Sequence, residues 1–124
     1  VDKDDVWAYI KIADVGLAPY PPNIVHNCNS PVKTLEYLVA GLPVVGTDIP
    51  SHRRLFKSCP LGCAVEHDVF SWREAIMKVL SWDTCNKATF HEITKKYLIK
   101  NHSFSMLADI VISAYDEVLN NRWN

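Results

Sequence analysis

Glycine and proline are missing from the whole second half of this 124-residue sequence. The four glycines and seven prolines all lie at or before residue 62, and residues 63–124 contain neither. Because these two residues interrupt regular structure, their distribution predicts alternating short elements in the first half. The second half is expected to be mostly helical.

A long apolar run and an excess of charge are also missing. No stretch of about twenty apolar residues occurs, which argues against a membrane-spanning helix, and the acidic start VDKDDVW is not typical of a signal peptide. The net charge is −1, so we expect no general attraction to nucleic acids or anionic membranes. These features favour an intracellular, cytoplasmic protein whose ligand specificity comes from a local site.

The cysteines lack the paired spacing of a disulfide framework. Free thiols are the simplest interpretation of the cysteines at positions 28, 59, 63 and 85. An alternative is a zinc site, but its spacing is loose and crosses a predicted strand edge. Its ligands would be His52, Cys59, Cys63 and His67. Free thiols are favoured, so no metal is predicted.

Short apolar runs alternate with capped helical segments along the first half. Strands are expected over residues 14–19, 43–47 and 62–66, each flanked by helices. Strands that are buried on both faces and separated by helices are typical of a parallel sheet. The sequence therefore predicts an α/β fold, a three-layer αβα Rossmann-like parallel sheet, followed by a helical tail over residues 70–124.

The tail carries helix signals of its own. Ser71 and Glu74 form a capping box that is expected to open a helix through about Leu80, and Asp83 is expected to cap another. The last helix has an apolar stripe on one face, formed by Phe104, Leu107, Ala108, Val111, Ala114, Tyr115 and Val118. Because one edge of a narrow three-stranded sheet and some apolar surface would be bare, we expect the isolated chain to self-associate or to be poorly soluble.

The segment SPVKTLEYLVAGLPVVGTD, residues 30–48, places a lysine in the first turn of a predicted helix. Ser30 is expected to be the N-cap and Pro31 the first helical residue. Lys33 then faces the positive end of the helix dipole, which is mildly unfavourable. A bound phosphate would remove the conflict, because backbone N–H groups at a helix start and a lysine ammonium both bind anions.

Glu36 follows Lys33 by about one turn, so both side chains project from the same side of the helix, while Leu35, Leu38 and Val39 are expected to point inward. A carboxylate at this position can accept hydrogen bonds from the two vicinal hydroxyls of a ribose. Lys33 and Glu36 together therefore suggest a nucleotide site. The alternative is an ordinary solvated helix surface, since neither a Walker A loop nor a GxGxxG fingerprint occurs.

The segments ADVGLAPY, SPVKTLEYLVAGLPVVGTD, SWREAI and AYDEVL resemble the C-terminal, donor-binding domain of GT-B-fold glycosyltransferases of the family-4 (glycosyl transferases group 1) type. The resemblance covers nearly all of residues 1–124 and implies a single domain or fragment, the later part of such a domain. It implies retaining transfer of a sugar from a nucleotide-sugar donor to a hydroxyl acceptor, without a metal or other cofactor. The products would belong to glycan, polysaccharide or glycolipid synthesis.

The resemblance also implies roles for individual residues. Glu36 matches the second glutamate of the family's two-glutamate signature and would hold the ribose hydroxyls. Lys33 would lie near the diphosphate and would be the catalytic residue, acting electrostatically. The other donor-binding residues would be Asn29, Ser30, Pro31 and Thr34. Cys28 stands where the signature has its first glutamate, so Asn27 and Asn29 are expected to supply substitute hydrogen bonds to the sugar.

The resemblance places the acceptor on a separate N-terminal domain, which is the expected partner. Any peripheral membrane contact would be made only through that parent protein, and no nucleic-acid partner is expected. Because the sequence starts without methionine and lacks the upstream units of the family's domain, we expect a fragment that is inactive alone. The competing function is a non-catalytic nucleotide- or phosphometabolite-binding α/β module, which Cys28 favours and which the Lys33 and Glu36 pair also fits.

Overall fold

The structure is a computed structural model that describes residues 3–28 and 30–121. Three strands occur in this part of the chain, namely β1 (Gly16–Ala18), β2 (Val44–Thr47) and β3 (Gly62–Val65). The helices are α1 (Lys3–Ile12), α2 (Ile24–Asn27), α3 (Val32–Val39), α4 (Pro50–Phe56), α5 (Val69–Leu80), α6 (Thr84–His102) and α7 (Phe104–Asn121).

The strands form one parallel sheet in the order β1-β2-β3, with Leu17 opposite Val45 and Val45 opposite Cys63. The predicted parallel α/β sheet is therefore confirmed, and each strand lies within its expected range. The central strand is completely buried, because adjacent residues of a strand point to opposite faces and both faces are covered. Val44 packs in a cluster with Leu38, whereas Val45 packs against Ala75 and α5.

Helix α3 starts one residue later than predicted. Pro31 is the N-cap, and Val32 is the first helical residue, with its N–H 2.9 Å from the carbonyl oxygen of Ser30. The prediction of Ser30 as the N-cap is therefore wrong, because the carbonyl of Ser30 and not its hydroxyl meets the first turn. Lys33 is consequently the second helical residue and still lies in the first turn.

One face of α3 packs against the sheet. Thr34 and Leu38 are four residues apart, and both are completely buried. Tyr37 packs on β1, where the absence of a side chain at Gly16 leaves room for its ring. Val39 is 54% exposed, so the expectation that it points inward is wrong. Its side chain is turned about 100° away from that of Leu38, which places it at the margin of the buried face.

Helix α5 is capped by Asp68, three residues before the predicted cap. The Asp68 carboxylate accepts hydrogen bonds from the N–H groups of Phe70 at 2.9 Å and Ser71 at 3.0 Å. Hydrogen bonding by the side chain and the N–H of Ser71, with a smaller contribution from Phe70, lowers the pKa of the carboxyl. Ser71 is therefore inside the helix, and the predicted capping box is wrong. The predicted end at Leu80 is confirmed.

Helix α6 begins where the sequence predicts. The side chain of Asp83 accepts a hydrogen bond from the N–H of Asn86 at 2.7 Å, which confirms Asp83 as a cap. We expect Asp83→Ala to lower the free energy of unfolding by about 1 kcal/mol, because a helix N–H group loses its acceptor. Denaturant unfolding measures the loss, and Asp83→Asn is the control, since its amide oxygen retains the acceptor. Equal losses in both variants would contradict the capping role.

The helical tail ends in α7, and the predicted apolar stripe of this helix is exposed to solvent. Phe104 is 92% exposed and Tyr115 is 68% exposed, and Leu107, Val111 and Val118 are also exposed. The expected self-association of the isolated chain stays a prediction. Searching the described residues for a helix with the length and apolar character needed to cross a membrane finds none.

Candidate functional site

The carboxyl ends of the parallel strands meet at one edge of the sheet, and α3 starts there. Strand β1 ends at Ala18, and the chain then passes through the short helix α2 to the N-cap of α3 at Pro31. Strand β2 ends at Thr47 and leads directly into α4. Open parallel sheets bind ligands at this edge, so the start of α3 is in the position of a ligand site.

A buried histidine joins the first turn of α3 to this edge. The His52 ring nitrogen Nδ1 lies 2.8 Å from the carbonyl oxygen of Thr47, and Nε2 lies 3.0 Å from the hydroxyl oxygen of Thr34. A carbonyl oxygen can only accept, so Nδ1 carries the hydrogen, and in a neutral ring Nε2 then accepts a hydrogen bond from Thr34. His52 and Thr34 are both completely buried. Through this ring, α3, β2 and α4 are held in one arrangement.

The ring of His52 is also confined by its neighbours. It stacks on Phe56 with 5.1 Å between ring centroids and contacts Tyr20 at 5.6 Å. Gly46 leaves the space for it, since a Cβ at that position would lie 2.7 Å from Nδ1. Burial lowers the pKa of His52, although its hydrogen bond to Thr47 and the charge of Asp48 partly oppose this effect. The ring is therefore neutral at pH 7, as the hydrogen bond from Thr34 requires.

The predicted site residues divide into inward and outward groups. Lys33 and Glu36 are both exposed and lie one turn apart on the solvent side of α3, as the helical spacing predicts. Ser30 is exposed, whereas Pro31 is buried. Asn29 lies outside the described residues. The structure thus presents one cation and one carboxylate beside the start of α3.

Thr34 differs from the rest of the predicted set. Its side chain is completely buried, and its hydroxyl is used by His52. The side chain of Thr34 is therefore taken up by a contact inside the protein, and only its backbone N–H, in the first turn of α3, is left to contribute to a ligand site. Sequence reasoning missed this role because Thr34 and His52 are 18 residues apart in the chain.

A cavity of about 440 Å³ lies beside the start of α3, between α3, α4 and the end of α6. Lys33 and Glu36 do not line it. The polar residues of its wall that matter here are Ser30 from the start of α3, Ser51 and Arg54 from α4, and His102 from the end of α6. The described lining holds no carboxylate, so the cavity has a positive character.

Two adjacent arginines on α4 have different surroundings. The Arg53 guanidinium donates to both carboxylate oxygens of Asp48, at 2.9 and 2.8 Å, and this hydrogen-bonded pair holds the pKa of Asp48 below its usual range. Arg54 lines the cavity and makes no ion pair with any described residue. Sequence reasoning overlooked Arg54, although the basic pair in SHRRLF directly after a buried strand was a visible signal.

The cysteines and histidines of the alternative zinc site are used otherwise. Free thiols are found at all four cysteines, and burial raises the pKa of Cys59 to about 11. Both ring nitrogens of His52 take part in protein hydrogen bonds. Within residues 3–28 and 30–121, no group of three or more potential ligand side chains is arranged to hold a metal ion.

Comparison with known proteins gives a partial relationship. No protein-family model matches this sequence. Over 56 residues, which are 45% of this chain, the sequence is 38% identical to TuaH of Bacillus subtilis (strain 168), a protein provisionally assigned as a teichuronic acid biosynthesis glycosyltransferase. Part of this chain is thus related to a glycosyltransferase. The match spans 14% of the length of TuaH.

Proposed function

We propose that this chain is the nucleotide-sugar-binding part of a retaining GT-B glycosyltransferase of the family-4 type. The observation that carries the proposal is the exposed Lys33 and Glu36 pair on the first turns of α3, at the carboxyl edge of a parallel sheet. The partial similarity to TuaH supports a glycosyltransferase relationship for this polypeptide. The family-4 resemblance of the segments around α3 supports the finer assignment.

The proposed donor lies across the start of α3. Its diphosphate accepts hydrogen bonds from N–H groups of the first turn, and the Lys33 ammonium adds a full positive charge beside them. The Glu36 carboxylate accepts hydrogen bonds from the two ribose hydroxyls. The buried hydrogen bond between Thr34 and His52 keeps this turn in place before the ligand arrives, so less conformational entropy is lost on binding.

The chemical role of this site is electrostatic. Transfer of the sugar requires the bond between its anomeric carbon and the diphosphate oxygen to break, so negative charge develops on the departing nucleotide. Lys33 and the first-turn N–H groups stabilise that charge, and Lys33 neither gives nor takes a proton. The acceptor hydroxyl is proposed to come from a separate domain outside this chain, so the chain alone is expected to bind the donor without transferring the sugar.

A second candidate function is a nucleotide-binding module without catalysis. One observation favours it. Cys28 is the C-cap of the short helix α2 and is exposed where the family signature has an acid that contacts the sugar. A module of this kind binds the nucleotide with Lys33 and Glu36, but its parent protein transfers no sugar. Assay of the full-length parent for sugar transfer separates the two functions.

We expect Lys33→Gln to weaken nucleotide diphosphate binding by about 1.5–3 kcal/mol, a factor of roughly ten or more, because one charge-assisted contact to phosphate is lost. Calorimetric titration with UDP, GDP, ADP and CDP sugars measures the effect, with thermal melts alongside. Lys57→Gln is a matched control, since Lys57 is an exposed lysine at the C-terminal end of α4. Glu36→Gln should weaken the ribonucleotides but leave simple pyrophosphate nearly unchanged. Unchanged nucleotide binding together with lower stability in Lys33→Gln would show a purely structural lysine.

A further inference from the structure

The cavity beside α3 has polar groups that the proposed donor site does not use. Its volume of about 440 Å³ is within the range of small-molecule sites. Arg54 and His102 contribute to its wall, and the described lining has no Asp or Glu. The charge and size of this cavity therefore suit a small anionic group.

Ser51 provides an independent observation. The residue is 9% exposed, and its hydroxyl oxygen is buried without a hydrogen-bond partner in the described structure. Buried hydroxyl groups are nearly always paired, because an unpaired one loses its bonds to water without replacement. Because Ser51 is one of the residues that line the cavity, a group bound there is the candidate partner, which the hydroxyl would reach by changing its rotamer.

Arg54 lies on the same side of α4 as Ser51. The two residues are three positions apart, so their side chains are neighbours on the helix surface. The adjacent Arg53 is already satisfied by Asp48, whereas Arg54 has no carboxylate partner among the described residues. An unpaired guanidinium next to an unpaired hydroxyl is suited to phosphate, which accepts several hydrogen bonds at once.

We propose that this cavity is a second anion site, which binds a phosphoryl group between Arg54, Ser51 and the start of α3 at Ser30. The site uses a different set of side chains from the proposed donor site, because neither Lys33 nor Glu36 lines it. A separate metabolite as ligand is independent of the donor site, whereas the diphosphate of a nucleotide as ligand rests on the proposed function. The phosphoryl group has two possible sources, the diphosphate of a nucleotide held at Lys33 or a separate phosphorylated metabolite.

Calorimetric titration of the chain with inorganic phosphate and with pyrophosphate, at low ionic strength, tests the proposal. Arg54→Gln is expected to weaken binding by about tenfold or more, because the main charge-assisted contact is removed. Arg53→Gln is the matched control, since it removes the same charge from the neighbouring residue and should change binding by less than about twofold. Ser51→Ala should weaken binding by a smaller factor, and thermal melts check that each variant is folded. If Arg54→Gln does not fold, Arg54→Lys takes its place and should still weaken binding relative to the unchanged chain, because lysine lacks the two-pronged contact of the guanidinium.

Absence of phosphate and pyrophosphate binding to the unchanged chain would overturn the proposal, as would equal weakening by Arg53→Gln and Arg54→Gln. Competition distinguishes the two sources. Displacement of phosphate by a nucleoside diphosphate supports the nucleotide as the source, whereas simultaneous binding supports a separate metabolite. The two sites can fail independently, because Lys33→Gln tests the donor site and Arg54→Gln tests the cavity.

Discussion

His52→Ala is expected to lower the free energy of unfolding by about 3–5 kcal/mol. Removing a large buried ring leaves a cavity, and it leaves buried polar groups without hydrogen-bond partners. The hydroxyl of Thr34 loses its acceptor, and the carbonyl of Thr47 loses its donor. For a domain with a total stability of about 5–15 kcal/mol, this loss is a large fraction. Urea denaturation followed by circular dichroism measures the change.

His67→Ala is the matched control for this experiment. His67 is also a histidine and also contacts Thr47, but it is exposed and its contact with the hydroxyl is long, at 3.4 Å. We therefore expect a change of less than about 0.5 kcal/mol in this variant. Equal losses in the two variants would contradict the structural role of His52.

The same histidine makes stability depend on pH. Because burial lowers its pKa from the ordinary value near 6.5, the unfolded chain binds a proton at mildly acidic pH that the folded chain does not bind. Stability is therefore expected to fall as the pH is lowered through 6.5 towards the folded pKa. Unfolding of the unchanged chain and of His52→Gln between about pH 5 and about pH 8 should show a smaller slope in the variant.

Leu38→Ala is expected to lower the free energy of unfolding by about 3–5 kcal/mol. Leu38 is completely buried and packs in one cluster with Ala18, Val44 and Leu98, so its removal opens a cavity between α3 and the sheet. Denaturant unfolding gives the magnitude. The expected loss also loosens the helix that carries Lys33 and Glu36, so nucleotide affinity should fall as well.

Val39→Ala is the control for Leu38→Ala, because Val39 is the next residue on α3 and is 54% exposed. A change of at most about 1 kcal/mol is expected there, since the side chain has little packing to lose. Leu38→Met should be tolerated with a loss of less than about 1.5 kcal/mol, because it keeps the volume of the side chain. A loss for Val39→Ala as large as that for Leu38→Ala would show that the buried face of α3 is misassigned.

The sheet could be predicted from the sequence because the pattern that identifies each strand lies within a few consecutive residues. Strand β2 is a short, completely buried apolar run, and that pattern is typical of a central strand in a parallel sheet. Helix starts were harder to predict, since cap residues are frequent and several fit one helix. Asp68 and Ser71 both suit the start of α5, and the helix uses the earlier one, so it begins about one turn before the predicted start.

The candidate site shows the same division. The shared face of Lys33 and Glu36 follows from helix geometry alone, so the sequence could predict it. The bond between Thr34 and His52 and the cavity wall that Arg54 shares with His102 depend on how separate helices pack. No local pattern encodes those contacts, because the residues that make them are far apart along the chain.

The strand order has a consequence for how the chain folds. Because β1, β2 and β3 lie side by side in chain order, each strand and its helix can dock on the unit made just before it. Each new strand then closes only a loop of moderate length, which keeps the entropy cost of each step small. Assembly can accordingly follow the direction of synthesis, and of the helices that wall the cavity, α6 is the last to be synthesised.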